Sequence, residues 1–371
     1  MYLERLWLTD FRSYPEAEFA PAPAGITVVH GANGEGKTNL LEAIGYLATL
    51  RSFRGSPAEA MVRHGTEGGR AVVRAAGMRE ERRLLVEAEL HATGRDRVQI
   101  NRQALRRSRD LLGAFCVTVF APDDLGLVKG APQGRRDFLD GLLISLHPRH
   151  DATITEVERV LKQRNALLKS AAGSARPGRS LPADVTVTLD VWDAKLASAG
   201  EALSGAREAL TGALEPFCRG AYGRLAAGVA HRGRAAVRLS YRRSWDGDLQ
   251  SALGRARHDD LRRGITTVGP HRDELVLEVG GLGGRTYASQ GEQRSLALAL
   301  RLAGHQLVTG RIGSAPILLL DDVFSELDPV RSEALLACLP PGQAVVTTAG
   351  ELPPGANIAA RARLEDGKLL T

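Results

Sequence analysis

A glycine-rich segment near the amino terminus holds the residue types that bind nucleotide phosphates. It consists of Gly31, Ala32, Asn33, Gly34, Glu35, Gly36, Lys37 and Thr38. The segment fits the pattern GxxxxGK(S/T), follows the apolar run 26–30, and precedes a run from Asn39 to Leu50 with apolar residues at helical spacing. Its glycines let backbone amides converge on phosphate oxygens, Lys37 can reach the β- and γ-phosphates, and the Thr38 hydroxyl can bind Mg²⁺. We therefore expect a Mg-ATP site formed by residues 31–39.

Two adjacent carboxylates near the carboxyl terminus follow an apolar run of strand length. Residues 317–320 are Ile-Leu-Leu-Leu, and Asp321 and Asp322 come directly after them. The first carboxylate after such a strand can hold Mg²⁺, and a second one can polarise the water that attacks the γ-phosphate. We assign these roles to Asp321 and Asp322, because the phosphate-binding segment supplies the site that they need. Without that segment, a helix N-cap is an equally good interpretation.

A third segment has the form S-x-G-(E/Q) and consists of Ser289, Gln290, Gly291 and Glu292. A Ser followed three residues later by a Glu predicts a capping box at a helix start, where free amides can also bind an anion. The order of these three segments, followed by 325–328 and the strand-like run 344–348, resembles the ATPase heads of the ABC superfamily. In those heads the S-x-G segment meets the γ-phosphate of a partner chain's nucleotide. The resemblance therefore implies an ATP-dependent homodimer in which Ser289 acts in trans, alongside Lys37 and Asp322 of the other chain.

Within that superfamily the chain resembles the RecF family of bacterial recombination mediators. The stretches that carry the resemblance are 11–14, 51–54, 122–124, 135–140 and 269–273. It implies recombinational gap repair and replication restart, a slow DNA-dependent Mg-ATPase, and an ATP-bound dimer that clamps DNA at gaps or junctions and helps to load recombinase. It also implies RecO and RecR proteins as partners. By analogy with related repair ATPases, Arg12 lies against the adenine.

Several positions depart from the pattern of transporter ATPases. Asp322 stands where transporters usually carry Glu, and its shorter side chain predicts slow hydrolysis. Residues 122–124 are Pro-Asp-Asp where a Gln is expected, and Thr347 and Thr348 replace the usual switch His. The residue that senses the γ-phosphate is therefore unassigned. His271 is one candidate, and a purely structural role for it is the alternative.

A sheet is needed to bring these segments together. The residue patterns predict that its strands come from two separate parts of the chain. Short β-branched or alternating runs fill the first third, and strand and helix patterns alternate again near the carboxyl terminus. The predicted helices between them span 123–128, 137–146, 153–169 and 190–214, with a Gly-, Ser- and Pro-rich loop at 170–182. We predict an α/β fold: an ABC-type P-loop ATPase head built from both chain ends (1–124 plus 264–371), with an inserted, mainly helical lobe (125–263) and no long coiled coil.

Basic residues, nearly all of them Arg, give the chain a net charge of +6. Arginine suits phosphate recognition and favours a nucleic-acid partner, whereas the codon bias of a GC-rich genome is the alternative explanation. Candidate DNA contacts are Arg51, Arg54, Arg102, Arg106 and Arg107, the last three around a predicted hairpin tip at 101–102. The arginine-dense run 232–263 is a further candidate. Each cluster can equally be a solvated face with internal ion pairs.

Cysteines and apolar runs bear on the compartment. Cys116, Cys218 and Cys338 form neither a zinc pair nor a disulfide framework. No apolar stretch approaches the roughly 20 residues that span a bilayer, and the first residues do not resemble a signal peptide. We expect a cytoplasmic, nucleoid-associated protein with no membrane partner.

Two alternative functions share the ATP-binding pattern. An ABC transporter ATPase subunit is disfavoured by the large insertion before Ser289 and by the missing Gln and His. A cohesin-like architectural ATPase is disfavoured because the sequence has no long heptad run for a coiled coil.

Overall fold

The computed structural model describes residues 1–172, 182–226, 236–365 and 367–370. Its strands, in chain order, are β1 Tyr2–Phe11, β2 Tyr14–Phe19, β3 Gly25–His30, β4 Arg70–Arg79, β5 Arg82–His91, β6 Arg97–Ile100, β7 Gln103–Ala104, β8 Val117–Phe120, β9 Val237–Arg242, β10 Glu274–Val279, β11 Leu282–Gly283, β12 Ile317–Asp321, β13 Gln343–Thr348, β14 Ile358–Glu365 and β15 Lys368–Leu370. Its helices are α1 Lys37–Thr49, α2 Leu125–Lys129, α3 Pro132–Leu146, α4 His150–Ala172, α5 Ala183–Leu225, α6 Leu249–Arg263, α7 Gly284–Tyr287, α8 Gln290–Ile312 and α9 Pro329–Cys338.

An antiparallel sheet with strand order β2-β1-β4-β5-β6-β7 contains most of the first third of the chain. Alternate residues of β4 and β5 are buried, as expected for a sheet with one covered face. The predicted hairpin tip is confirmed: Ile100 pairs with Gln103, and both Asn101 and Arg102 have left-handed backbone conformations. The side-chain oxygen of Asn101 accepts a hydrogen bond from the Leu85 amide at 2.9 Å, which stabilises this turn without the glycine usual there.

A second sheet has the strand order β15-β14-β3-β13-β12-β8 and is parallel except for β15. Leu318 and Leu320 of β12 belong to one hydrophobic core, and Ile317 and Leu319 belong to another. Both faces of the sheet are therefore covered, which explains why β12 is apolar throughout. Because β3 and β8 come from the first part of the chain and β12 to β15 from the last, the predicted α/β head built from both chain ends is confirmed.

The strand order decides which loops meet. In a parallel sheet, the loops that follow the carboxyl ends of the strands lie at one edge and form the usual binding crevice. Here β13 lies between β3 and β12. The phosphate-binding loop after β3 and Asp321 at the end of β12 therefore flank the end of β13.

The inserted lobe contains α2 to α6. Of these, α3, α4 and α5 are longer than predicted, α2 begins two residues later than predicted, and α6 was not predicted. The helix predicted at 190–214 is α5, which runs for 43 residues, and α4 includes Ser170, where the loop was expected to begin. Residues 173–181 of that loop, and 232–235 of the arginine-dense run, lie outside the described residues. Within the described part, α5 packs on α4 and α8 without an extended coiled coil. None of the described helices is apolar over a length sufficient to cross a membrane.

The lobe also contains a strand that the sequence analysis did not predict. β9 pairs with β10 and, together with β11, forms a three-stranded antiparallel sheet. Val237 and Leu239 are buried in alternation with polar neighbours, a strand pattern that the local density of arginine obscured. This small sheet hydrogen-bonds the lobe to the segment that follows residue 264.

Candidate nucleotide-binding site

A cavity of about 360 Å³ opens at the edge where the parallel strands end. It is lined by Asn33, Gly34, Gly36, Lys37, Thr38, Asn39, Arg54, Asp321 and Asp322. All of these except Arg54 were predicted as residues of the ATP site. Thr38 and Asp321, which are 283 residues apart in the sequence, are in hydrogen-bond contact here. The fold thus brings the two predicted halves of the site together.

The phosphate-binding segment is a tight loop between β3 and α1. Gly34 and Gly36 have left-handed φ angles of 92° and 106°. A Cβ at Gly36 would lie 2.6 Å from the Oγ of Ser13, so this position requires glycine for both conformation and space. The Tyr14 hydroxyl donates a hydrogen bond to the Gly36 carbonyl oxygen at 3.0 Å. The turn between β1 and β2 therefore supports the loop from below.

Lys37 is the nearly buried first residue of α1. Its ammonium donates to the carbonyl oxygens of Gly31 at 2.7 Å and Ala32 at 2.8 Å. Both acceptors are neutral, so the positive charge remains available to an anionic phosphate at the amino end of the helix.

Asp321 accepts two hydrogen bonds on a single oxygen. Thr38 Oγ1 and Thr347 Oγ1 donate to Asp321 Oδ1 at 2.9 and 2.8 Å. The pKa of Asp321 is raised above its ordinary value, mainly by burial and in smaller part by the neighbouring charge of Asp322. The two threonine hydrogen bonds act in the opposite direction. Two adjacent oxygen ligands of an octahedral Mg²⁺ stand about 2.9 Å apart, because each metal–oxygen distance is about 2.1 Å. The spacing of Thr38 Oγ1 and Asp321 Oδ1 fits that geometry.

Asp322 adopts a left-handed conformation, with φ of 48°, directly after β12. Its amide donates to the carbonyl oxygen and to the hydroxyl of Thr347, each at 3.1 Å. Its Oδ1 is buried and has no hydrogen-bond partner among the described residues, and Asp322 as a residue lines the cavity. A carboxylate at a cavity wall can accept a hydrogen bond from water, as a general base requires.

Two arginines converge on the fully buried Glu42 of α1. Arg12 donates to both carboxylate oxygens of Glu42, at 2.8 and 2.7 Å, and to the Ala60 carbonyl oxygen at 2.7 Å. Arg54 donates to Asn39 at 3.1 Å and lies 3.8 Å from Glu42, with its side chain 44% exposed. The guanidinium of Arg12 is therefore engaged here, and its contact with adenine stays a prediction. Arg54, predicted as a DNA contact, lines the nucleotide cavity, and its contact with DNA stays a prediction.

The S-x-G-(E/Q) segment forms the predicted capping box at the start of α8. The Glu292 amide donates to Ser289 Oγ at 3.3 Å, and the Ser289 amide donates to the Glu292 carboxylate at 2.7 Å. Ser289 and Gln290 are exposed, and neither lines the cavity of its own chain. The segment is thus accessible to a second molecule.

His271 does not line the cavity. Its Nε2 lies 3.0 Å from the Thr266 carbonyl oxygen, and burial lowers its pKa to about 4. This placement argues for the structural role over that of γ-phosphate sensor. Thr347, noted in the sequence only as a replacement for the switch His, instead contacts both Asp321 and Asp322.

The remaining predicted DNA contacts do not line the cavity. Arg102, Arg106 and Arg107 are exposed along the β6–β7 edge of the antiparallel sheet, and Arg51 is exposed after α1. Their exposure leaves them accessible, and their contact with DNA stays a prediction.

The parallel sheet, the phosphate-binding loop and the paired carboxylates define an ATPase head of the ABC type. The family model described as RecF/RecN/SMC N terminal domain matches residues 2–349. Two curated proteins called DNA replication and repair protein RecF are each 46% identical to this chain, that of Frankia alni over 364 residues and that of Streptomyces avermitilis over 360. Each comparison covers 94% of this chain and 93% of the relative.

A solved structure of "the recombination mediator protein RecF-ATP in RecFOR pathway" is 25% identical to this chain, with a TM-score of 0.85. The superposition covers 100% of this chain and 97% of that one. The chain belongs to the RecF family.

Proposed function

We propose that this chain is an ATP-dependent DNA-binding protein of recombinational gap repair and replication restart. It is a slow Mg-ATPase whose ATP-bound dimer clamps DNA and helps to load recombinase. One observation carries the proposal: the phosphate-binding loop, the Thr38–Asp321 pair and Asp322 line one cavity, whereas the capped start of α8 is exposed outside it. The relatives support the repair context, since they are called DNA replication and repair proteins and a recombination mediator with ATP.

In the nucleotide site, each side chain has a role that follows from its position. The loop amides and Lys37 bind the β- and γ-phosphates, and Arg54 supplies a second cation at the cavity wall. Thr38 and Asp321 hold Mg²⁺, which neutralises charge that develops on the phosphates. Asp322, which lines the cavity, orients the attacking water through its carboxylate. Its short side chain keeps hydrolysis slow, so the rate of hydrolysis sets how long the ATP-bound state lasts.

The dimer follows from what a single chain lacks. Ser289, Gln290 and the first amides of α8 form an anion site on the surface. In the dimer this site meets the γ-phosphate of the partner's ATP, so two nucleotides lie between two chains. ADP lacks that phosphate, and hydrolysis therefore releases the dimer.

DNA lies along the exposed β6–β7 edge. Arg102, Arg106 and Arg107 form no ion pair within the described residues, in contrast to Arg70 and Arg74 of the same sheet, which pair with glutamates. Unpaired guanidinium groups are free to contact phosphates without regard to base sequence. Arg51 extends the same role after α1.

Other parts of the proposal rest on family membership. We propose RecO and RecR proteins as partners, gaps or single-strand–double-strand junctions as the DNA, and the cytoplasmic nucleoid as the location. We also propose that the chain is divided into an ATPase domain (1–124 plus 264–371) and an inserted lobe (125–263).

Sedimentation of wild type, Ser289→Arg and Asp322→Asn with ATP, with ADP and without nucleotide tests the composite site. Wild type should dimerise only with ATP, and Asp322→Asn should remain dimeric for longer because hydrolysis is slowed. Ser289→Arg should bind ATP as a monomer, since bulk and charge block the interface. The composite site is wrong if wild type stays monomeric with ATP and DNA present, or if Ser289→Arg dimerises normally.

A titration with duplex, gapped and single-stranded DNA, with and without ATP, tests the DNA surface. Affinity should fall steeply with salt. Replacing both Arg106 and Arg107 by Glu should make the slope of log affinity against log salt shallower by about 1.8, the amount expected for two lost phosphate contacts. Arg361→Glu, an exposed arginine of the parallel sheet, is the matched control. A flat salt response or an unchanged slope in the double variant would contradict this surface.

A further inference from the structure

A glycine of the S-x-G-(E/Q) segment faces an arginine of the same chain. A Cβ built on Gly291 would lie 2.7 Å from the Cζ and 3.2 Å from the Nη1 of Arg331. Real Cβ atoms essentially never approach another heavy atom to less than 3.0 Å. The guanidinium of Arg331 therefore lies directly against Gly291, and it would have to move if position 291 carried a side chain.

The backbone gives no other reason for this glycine. Gly291 is the second residue of α8 and is not among the residues with positive φ. At a helical position with ordinary φ, alanine is the better helix former. Within one chain, a larger residue at 291 would thus displace the Arg331 guanidinium, which is the far end of a flexible side chain.

Arg331 belongs to the loop and helix that follow the catalytic carboxylate. It is the third residue of α9, and both its amide and its guanidinium bind Asp328, which caps that helix. The loop 325–328 also returns to the site, because Ser325 Oγ donates to the Asp322 carbonyl oxygen at 2.7 Å. A continuous set of contacts therefore runs from Gly291 through Arg331 and its loop to Asp322.

The contact is packed and not solvated. The Arg331 side chain is only 17% exposed, and its Nε is buried with no hydrogen-bond partner among the described residues. A second link runs beside it, because Arg294 of α8 donates to the Glu326 carbonyl oxygen and lies 3.3 Å from the Glu326 carboxylate. The start of α8 and the loop 325–328 are held together at two points.

We propose that Arg331 is a positioning residue that seats the S-x-G-(E/Q) segment against the loop 325–328 of its own chain. The inference rests on the proposed function, in which the segment serves the partner's nucleotide while the loop supports Asp322 at the chain's own nucleotide.

A double-mutant cycle tests the contact. Dimerisation with a non-hydrolysable ATP analogue is measured by sedimentation for wild type, Gly291→Ala, Arg331→Ala and the double variant. Each single substitution should weaken dimerisation about tenfold, and the second should add less than about twofold, because both remove the same contact. Arg311→Ala, an exposed arginine in the last turn of α8, should behave as wild type.

Two results of the cycle overturn the inference. Additive effects mean that Gly291 serves the partner's nucleotide independently of Arg331. Wild-type dimerisation by Arg331→Ala means that the seating is not needed.

Hydrogen exchange in the nucleotide-free monomer distinguishes failure of this inference from failure of the proposed function. The amides of residues 289–294 should exchange several-fold faster in Gly291→Ala and Arg331→Ala than in wild type, with the melting temperature and the ATP affinity of the monomer unchanged. If wild type fails to dimerise, the composite site is wrong and the exchange rates alone decide the role of Arg331. Unchanged exchange in both variants overturns that role.

Discussion

Replacing Arg164 with Met should destabilise the lobe severely, because Arg164 is fully buried at the meeting point of three helices. Its Nε donates to Asp193 of α5 at 2.6 Å, and its Nη1 donates to Asp260 of α6 at 2.7 Å. Both carboxylates are also buried. Met fills a similar volume, so the main effect is the loss of the cation.

The size of the loss in stability depends on which hydrogen-bond donors each carboxylate retains after the substitution. Asp193 retains Arg257 at 2.6 Å, whereas among the described residues Asp260 retains only neutral donors, the amide and hydroxyl of Thr267. Removing one partner from a buried pair costs about 3 to 5 kcal/mol because the remaining charge is uncompensated. Since one of the two carboxylates stays paired, we expect a loss near the lower end, about 3 kcal/mol.

Urea unfolding followed by tryptophan fluorescence, to which Trp192 beside Asp193 contributes together with Trp7 and Trp245, measures this loss. Arg262→Met is the matched control, because Arg262 pairs with Asp259 at an exposed site on α6 and should change stability by less than about 0.5 kcal/mol. Adding Asp260→Asn to Arg164→Met should recover part of the loss. A loss below about 1 kcal/mol for Arg164→Met, or no recovery in the double variant, refutes the reasoning.

Three further outcomes are expected. Lys37→Met should weaken ATP binding on the order of 100-fold in a nucleotide titration, because it removes a nearly buried cation from the phosphate site. Lys129→Met on the surface is the control and should leave the ATP affinity unchanged. Equal affinities of the two variants would contradict the role of Lys37. Thr347→Val should slow hydrolysis about tenfold with little change in ATP affinity, since it deletes one hydrogen bond to Asp321; Thr348→Val on the same strand is the control, and equal rates in both variants count against the role of Thr347. Burial lowers the pKa of His305 from 6.5 to about 4. Between these pH values the unfolded state therefore binds a proton at His305, whereas the folded state does not. The free energy of unfolding should fall by up to about 3 kcal/mol as the pH drops from 6.5 to 4. His305→Gln should remove this part of the acid dependence in urea titrations, and identical slopes for the two proteins would show that the imidazole does not contribute.

Elements were predictable where the pattern along the chain matches one burial environment. The hairpin tip at 101–102 and the buried strand 317–320 are of this kind, because turn chemistry and an apolar run are local signals. β9 was missed because its alternation is brief and lies within an arginine-dense stretch. The full length of α5 was missed because exposed apolar residues near its amino end, such as Val187, disturb the helical periodicity, and because Pro216 is a residue type that usually ends a helix.

The sequence by itself determined the local parts of the site: the glycine loop at 31–38, whose conformation depends on adjacent residues, and the capping box at 289–292, whose hydrogen bonds span three positions. Only the tertiary structure decided what surrounds them. Thr347 contacts Asp321 because β13 lies between β3 and β12, and no periodicity encodes that strand order. Arg54 lines the nucleotide cavity because the chain after α1 turns back beside Glu42. Contacts between residues distant in the chain depend on how the sheets and helices pack, whereas patterns along the chain report only which side of each element is buried.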